Sequence, residues 1–142
     1  MQLTTHTDYA LRLLIYLEVK RGSKATIQDA AAMFAISANH LAKVAQTLVQ
    51  HHYVISHRGR GGGLELGKPA DEICIGSLVR QTENLQLLPC FAEQSDCPID
   101  GACTLKGALG KAQLAFLNVL DEYTLADLVK NKQQLQGLLS VA

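Results

Sequence analysis

The sequence predicts a mainly α protein: a winged helix-turn-helix DNA-binding region (residues 1–83), a cysteine-rich loop (84–104), and a long C-terminal dimerisation helix with its tail (105–142). Three observations predict it. Two short helical stretches meet at Ala35-Ile36-Ser37, a glycine-rich hairpin follows them directly, and the longest apolar period in the chain comes after three clustered cysteines.

The first helix is expected to open at Thr5, where Thr5 and Asp8 form T-x-x-D, a variant of the capping box. It continues through Ala10, Leu11, Leu14, Ile15 and Leu17 and ends near Gly22. Asp8 is a first-turn acid favoured by the helix dipole, with Arg12 as its i,i+4 partner. A second helix covers Thr26 to Phe34, turning Ala30, Ala31 and Met33 or Phe34 inward. Ser37 is a good N-cap for a third helix. There Leu41, Val44, Ala45 and Leu48 recur at i, i+3, i+4, i+7, leaving Asn39, His40, Lys43, Thr47 and Gln50 on the outer face. Two short helices with a tight turn and a polar-faced second member make a helix-turn-helix, and Ala38, Asn39, His40 and Lys43 are its candidate DNA contacts.

Tyr53-Val54-Ile55-Ser56 reads as a strand, Arg58-Gly59-Arg60-Gly61-Gly62-Gly63 as a turn and Leu64-Glu65-Leu66 as the return strand, which together form a wing. The glycines permit positive φ and close backbone approach, and they present Arg58, Arg60 and Gly61 at the tip, within reach of phosphates or a minor groove. A merely solvated hairpin tip is the alternative. Ile73 to Glu83 starts extended and becomes a helix through Leu78 and Val79, with Cys74, between two isoleucines, expected in the core.

Charge supports this division. Residues 1–68 carry eight Lys/Arg against four Asp/Glu and all five histidines, whereas the remainder carries five against nine. A basic first half suits a polyanionic partner. Hydrophobic residues at 48% exclude general disorder. No apolar run approaches the ~20 residues of a membrane span and no signal peptide opens the chain, so a cytoplasmic protein without membrane attachment is expected. Nothing resembles a nucleophile–base pair, a phosphate loop or a dinucleotide fingerprint, and G-R-G-G-G lies in a hairpin with no helix immediately after it; an enzyme is not expected.

Cys90, Cys97 and Cys103 are spaced C-x6-C-x5-C, among the turn formers Ser95, Asp96, Pro98, Asp100 and Gly101. A structural zinc site usually has short C-x2-4-C knuckles and four ligands, neither of which this loop supplies. A disulfide would leave one thiol over and calls for an oxidising compartment. Iron-sulfur clusters accept cysteines at longer, varied spacings with an occasional other ligand, and they fit this loop best.

Beyond the loop, Leu105, Leu109, Ala112, Phe116, Val119 and Tyr123 step by 4, 3, 4, 3 and 4, a coiled-coil-like seam remote from the DNA reader and suited to dimerisation. Thr124 to Leu128 and Leu135 to Leu139 are expected to pack back as short helical pieces.

A winged helix, a three-cysteine loop and a dimerisation helix in that order resemble the iron-sulfur winged-helix transcriptional repressor family, that of IscR and NsrR, and most closely its nitric-oxide-sensing branch. The resemblance covers nearly the whole chain. It is carried by the opening M-Q-L-T-T-H-T-D-Y-A-L-R, the wing R-G-R-G-G-G-L-E-L-G-K-P-A, the cysteine loop and the late D-E-Y-T-L-A-D-L-V. The iron-sulfur-assembly branch has a ligand histidine three residues after the third cysteine, where this chain has Lys106; the first cysteine gap is also one residue longer than in several relatives. The resemblance implies an iron-sulfur cluster, 4Fe-4S ahead of 2Fe-2S, on Cys90, Cys97 and Cys103, with Asp8 reaching across from the other subunit as a further ligand. It also implies a homodimer on a palindromic double-stranded DNA operator, released when nitric oxide attacks the cluster, so that nitric-oxide-detoxification genes are expressed. A regulator of the same fold that senses iron supply, oxygen or superoxide is the alternative.

Overall fold

Thr4, not Thr5, caps the first helix: its backbone is extended (φ −68°, ψ 155°) and its hydroxyl accepts the Thr7 N–H at 3.3 Å. Helix α1 then runs Thr5–Val19 in the computed structural model, which describes residues 1–140. Asp8 keeps its place in the first turn but is not the cap's partner. Thr7 is fully buried, and its hydroxyl donates to the Thr82 hydroxyl at 2.8 Å, which in turn donates to the Leu78 carbonyl at 3.1 Å. Its burial therefore leaves no polar atom unpaired.

Helix α2 (Ile27–Phe34) is capped by Thr26, whose hydroxyl accepts from Asp29 N–H at 3.1 Å. It stops where Ala35 turns left-handed (φ 53°, ψ 44°) and Ile36 N–H returns to the Ala31 carbonyl at 2.9 Å. A left-handed alanine costs on the order of 1 kcal/mol, and in exchange the chain turns sharply enough for Ser37 to cap α3 (Ala38–Gln50). The predicted stripe Leu41, Val44, Ala45 and Leu48 is buried.

Strands β1 (Val54–His57) and β2 (Gly63–Leu66) pair antiparallel, with Val54 opposite Leu66 and His57 opposite Gly63. Ala25 pairs with Leu64 on the other side of β2, clamping the root of the wing to the segment before α2. Gly63 permits this approach, because a Cβ there would stand 2.7 Å from the Ala25 carbonyl oxygen.

A 3-10 turn (Ala70–Glu72) leads to α4 (Ile75–Thr82). Ile73 and Ile75 are buried, but Cys74 is only half-buried and its thiol faces Asp121 at 3.8 Å. The expectation of a core cysteine thus fails for the sulfur: in extended backbone, neighbouring side chains point to opposite sides. Helix α5 (Thr104–Asp121) lies along α4, where Asp121 abuts Gly76 and receives a two-pronged ion pair from Arg80, one arm at 2.8 Å.

Two faces divide α5. Leu117 is buried against the protomer, with Gln113 and Leu120 beside it, an inner face the apolar period did not single out. The predicted seam points outward: Leu105, Val119 and Tyr123 are 62%, 53% and 46% exposed, Ala112 is exposed, and Leu109 and Phe116 lie at its half-buried edge. The tail folds back as expected, through α6 (Leu125–Leu128) and α7 (Lys132–Leu139), whose Leu125 and Leu139 close on the core around α1. Thr124 and Asp127 form a capping box on α6, and the hydrogen bond from Lys130, followed by those from the Thr124 N–H and hydroxyl, lowers the Asp127 carboxyl to about 2. Among the described residues no helix is long and apolar enough to cross a membrane.

Candidate nucleic-acid interface and cysteine loop

Ser37 sets the head of α3 by accepting the His40 N–H, which leaves Ala38, Asn39 and Lys43 exposed on one face. His40 is held differently. Its ring packs edge-to-face on Tyr9 of α1, with centroids 4.8 Å apart, so a predicted contact residue also joins the third helix to the first. Gln46, one turn beyond Lys43, extends the exposed polar face; the same 3.6 period would have found it.

At the wing, Gly59 and Gly61 take φ of +89° and +78°, a conformation that favours glycine, and the tip presents Arg58, Arg60 and Gly61 to solvent. Among the described residues Lys43, Arg58 and Arg60 have no ion-pair partner, so their charge is available to a polyanion. The helix face and the wing flank one another through the contact of α3 with β1.

The loop between α4 and α5 contains two 3-10 turns, Pro89–Phe91 and Asp100–Ala102, and three free cysteines. Cys90 lies half-buried in the first turn, Cys97 is exposed between the two, and Cys103 is the N-cap of α5, its sulfur accepting the Lys106 N–H at 3.3 Å. Lys106 reaches back over the loop to Asp100 at 2.6 Å. That hydrogen bond holds its ammonium above the usual lysine value, with the charges of Asp100, Cys90 and Cys103 acting in the same direction against desolvation. The lysine in the place of the other branch's histidine ligand therefore pairs with the loop's own acid.

No three His, Cys, Asp or Glu side chains converge on a single-ion site among the described residues. An iron-sulfur cluster makes a different demand, because its thiolates bind separate irons and hydrogen bonds to their sulfurs tune it. Three unpaired cysteines on one loop, one of them already accepting a backbone N–H, fit that donor set. Asp8 pairs with Arg12 of its own helix at 2.9 Å, and no described contact joins it to the cysteines within the protomer.

One long-range contact ties the root of this loop to α1. Glu83, the residue after α4, accepts the Thr4 N–H at 2.7 Å and the Thr4 hydroxyl at 2.9 Å. Desolvation raises its carboxyl, but the threonine donors at the head of α1 and the nearby His6 outweigh it and leave the group below the usual glutamate range. From α1, Tyr9 touches α3 through His40, and the Arg12 guanidinium lies 5.9 Å from the Phe34 ring centre at the end of α2.

Rrf2, described as a family of iron-dependent transcriptional regulators, matches residues 3–131. The chain is 47% identical over 144 positions to the HTH-type transcriptional regulator NsrR of Bacillus subtilis (strain 168), covering 99% of each. It is 46% identical to the regulator of the same name from Oceanobacillus iheyensis, covering 99% of this chain and 98% of that one. The solved structure of T. potens IscR superposes with a TM-score of 0.75 over 96% of this chain and 91% of its own, at 20% identity, a likeness of fold.

Proposed function

The chain belongs to the Rrf2 family of transcriptional regulators, and on that footing we propose that it is a nitric-oxide-responsive repressor whose cysteine loop holds an iron-sulfur cluster. It is a DNA-binding regulator and not an enzyme. One observation carries the proposal: the three-cysteine loop begins at the foot of α4 and ends as the cap of α5, so whatever the loop binds bears on both the winged region and the outward-facing seam.

Cys90, Cys97 and Cys103 would hold the cluster, of the 4Fe-4S type, with Asp8 contributed across a homodimer. When bound, the cluster supplies iron that reacts with nitric oxide, more readily where an oxygen ligand leaves an iron accessible. The seam on α5 pairs two protomers and thereby sets the distance between two α3 helices, which suits a palindromic operator with half-sites one or more turns apart. Ala38, Asn39, His40 and Lys43 engage the major groove, and Arg58, Arg60 and Gly61 the neighbouring backbone. Glu83 and Thr4 join the foot of the loop to α1, whose Tyr9 and Arg12 touch both helices of the reader. A change in the loop thereby alters the seating of α3. Switching from mostly bound to mostly free requires the two states to differ in DNA affinity by roughly 3–5 kcal/mol, which loss of simultaneous half-site engagement can supply.

The test is Mössbauer spectroscopy on protein purified without air, followed by nitric oxide titration during an operator-binding assay. An iron-sulfur spectrum, with operator affinity falling in step with added nitric oxide, is expected. Colourless protein, or affinity indifferent to nitric oxide, would overturn the proposal.

A further inference from the structure

We propose that the cleft between the α1–α2 turn and the wing is a second phosphate-binding site, which takes phosphodiesters of the duplex outside the half-site read by α3. The inference rests on the DNA-binding reading above and extends it to a cleft whose three lysines are not among the DNA contacts named there.

The cleft encloses about 670 Å³, and Lys20, Lys24 and Lys68 line it. Among the described residues none of these three ammonium groups has an ion-pair partner. The fourth cation of the cleft, Arg21, is already engaged by Glu18 at 3.0 Å, and its acid, Glu65, is engaged by His57 at 2.8 Å. Three free ammonium groups therefore face one acid, Glu65, whose partner is a histidine and not a permanent cation, and the cleft is net positive. In the acidic half of the chain three of the five cations, Arg80, Lys106 and Lys130, have an aspartate partner.

The lysines are also placed. The Lys68 ammonium lies 4.6 Å from the centre of the Tyr53 ring and that of Lys20 lies 5.9 Å from the centre of Tyr16, contacts that orient a cation without neutralising it. Lys24 rests beside Gly61, where a Cβ would come within 2.7 Å of its Nζ. Gly61 thus serves the turn through its positive φ and the cleft through its missing side chain. Compact ammonium groups on flexible stems are suited to phosphate oxygens. A duplex is favoured over a free anion because Lys24 touches the wing tip itself, so a backbone strand passing Arg58 and Arg60 meets it next.

The experiment compares operator duplexes that end at the wing with duplexes extended outward by about half a helical turn, roughly 5 base pairs. Binding is measured as a function of salt for the wild type, for the triple variant Lys20→Gln, Lys24→Gln, Lys68→Gln, and for Lys24→Arg. The wild type should bind the longer duplex about tenfold more tightly at moderate salt. The triple variant should lose that gain and shed roughly 0.9 from the slope of log affinity against log salt per lost contact. It should still bind the short duplex as the wild type does, whereas Lys24→Arg should retain the gain. A length effect that survives in the triple variant, or is missing in the wild type, overturns the proposal. Titration with inorganic phosphate alone covers the other source: saturation of the cleft without any length effect would assign it to a free anion and overturn the duplex. Failure of the wild type to bind even the short duplex would instead remove the DNA-binding reading on which the site rests.

Discussion

The four cysteines occupy two chemically different settings. Cys74 lies at the head of α4 with its sulfur toward Asp121 at the end of α5, while Cys90, Cys97 and Cys103 share a polar loop in which Cys103 caps a helix. Cys97→Ala should accordingly lose most of the iron bound by protein purified without air, and Cys74→Ala should retain it, as read by iron-to-protein ratio and visible absorption. Full iron in Cys97→Ala would refute the ligand assignment. Asp8 is the residue where structural and functional roles overlap. Its pair with Arg12 is nearly half exposed on both sides, 43% and 46%, so it contributes at most about 0.5 kcal/mol to stability. An effect of Asp8→Ala on the response to nitric oxide would therefore not be explained by unfolding.

Helix α5 presents two different faces at the scale of an element. The inner face, through Leu117, belongs to the protomer's fold; the outer seam, with Leu105, Val119 and Tyr123 exposed, has no cover within it. Leu117→Ala should therefore lower the stability of the protomer by about 2–4 kcal/mol, the usual range for a buried leucine. Val119→Glu should leave protomer folding almost unchanged and shift the protein from dimer to monomer, because a charge is placed in an apolar interface. Urea unfolding read alongside sedimentation velocity distinguishes the two; if Val119→Glu remained dimeric at micromolar concentration, the seam would not be the interface. Gly76 and the Arg80–Asp121 pair hold α5 close to α4, so the orientation of the seam follows from a contact between the two helices.

Across the whole molecule, Glu83 is the contact through which the loop, the first helix and the reader meet. It binds the head of α1 through Thr4, a residue 79 positions earlier in the chain. Glu83→Ala should reduce stability near neutral pH by about 1 kcal/mol and diminish the difference in operator affinity between iron-loaded and iron-free protein at unchanged iron content. The pH dependence has a definite sign. Because folding lowers the carboxyl's pKa, its stabilisation is complete above the unfolded glutamate value of about 4.3 and is lost as pH falls through the folded value. Wild type and Glu83→Ala should then differ in urea unfolding at pH 7 and converge in acid; an equal difference at both pH values would show that the charge of Glu83 is not what holds α1.

The helix-turn-helix, the wing and the apolar stripe along α5 were legible in the amino-acid order because each rests on short-range chemistry. A 3.6-residue period places Leu41, Val44 and Leu48 on one face, Ser37 can cap only the helix directly after it, and the glycines around Arg60 permit a turn that other residues resist. The cysteine spacing likewise marks the loop, since turn formers between the thiols are a local signal. Folding decided which of two neighbouring threonines caps α1, which way the Cys74 sulfur points, that Leu117 faces inward, that Lys24 meets the wing at Gly61, and that Glu83 reaches Thr4. Most of these are encounters between residues far apart in the chain, and their energies depend on distances and directions that arise only when helices and strands pack. Local propensity carries no term for them.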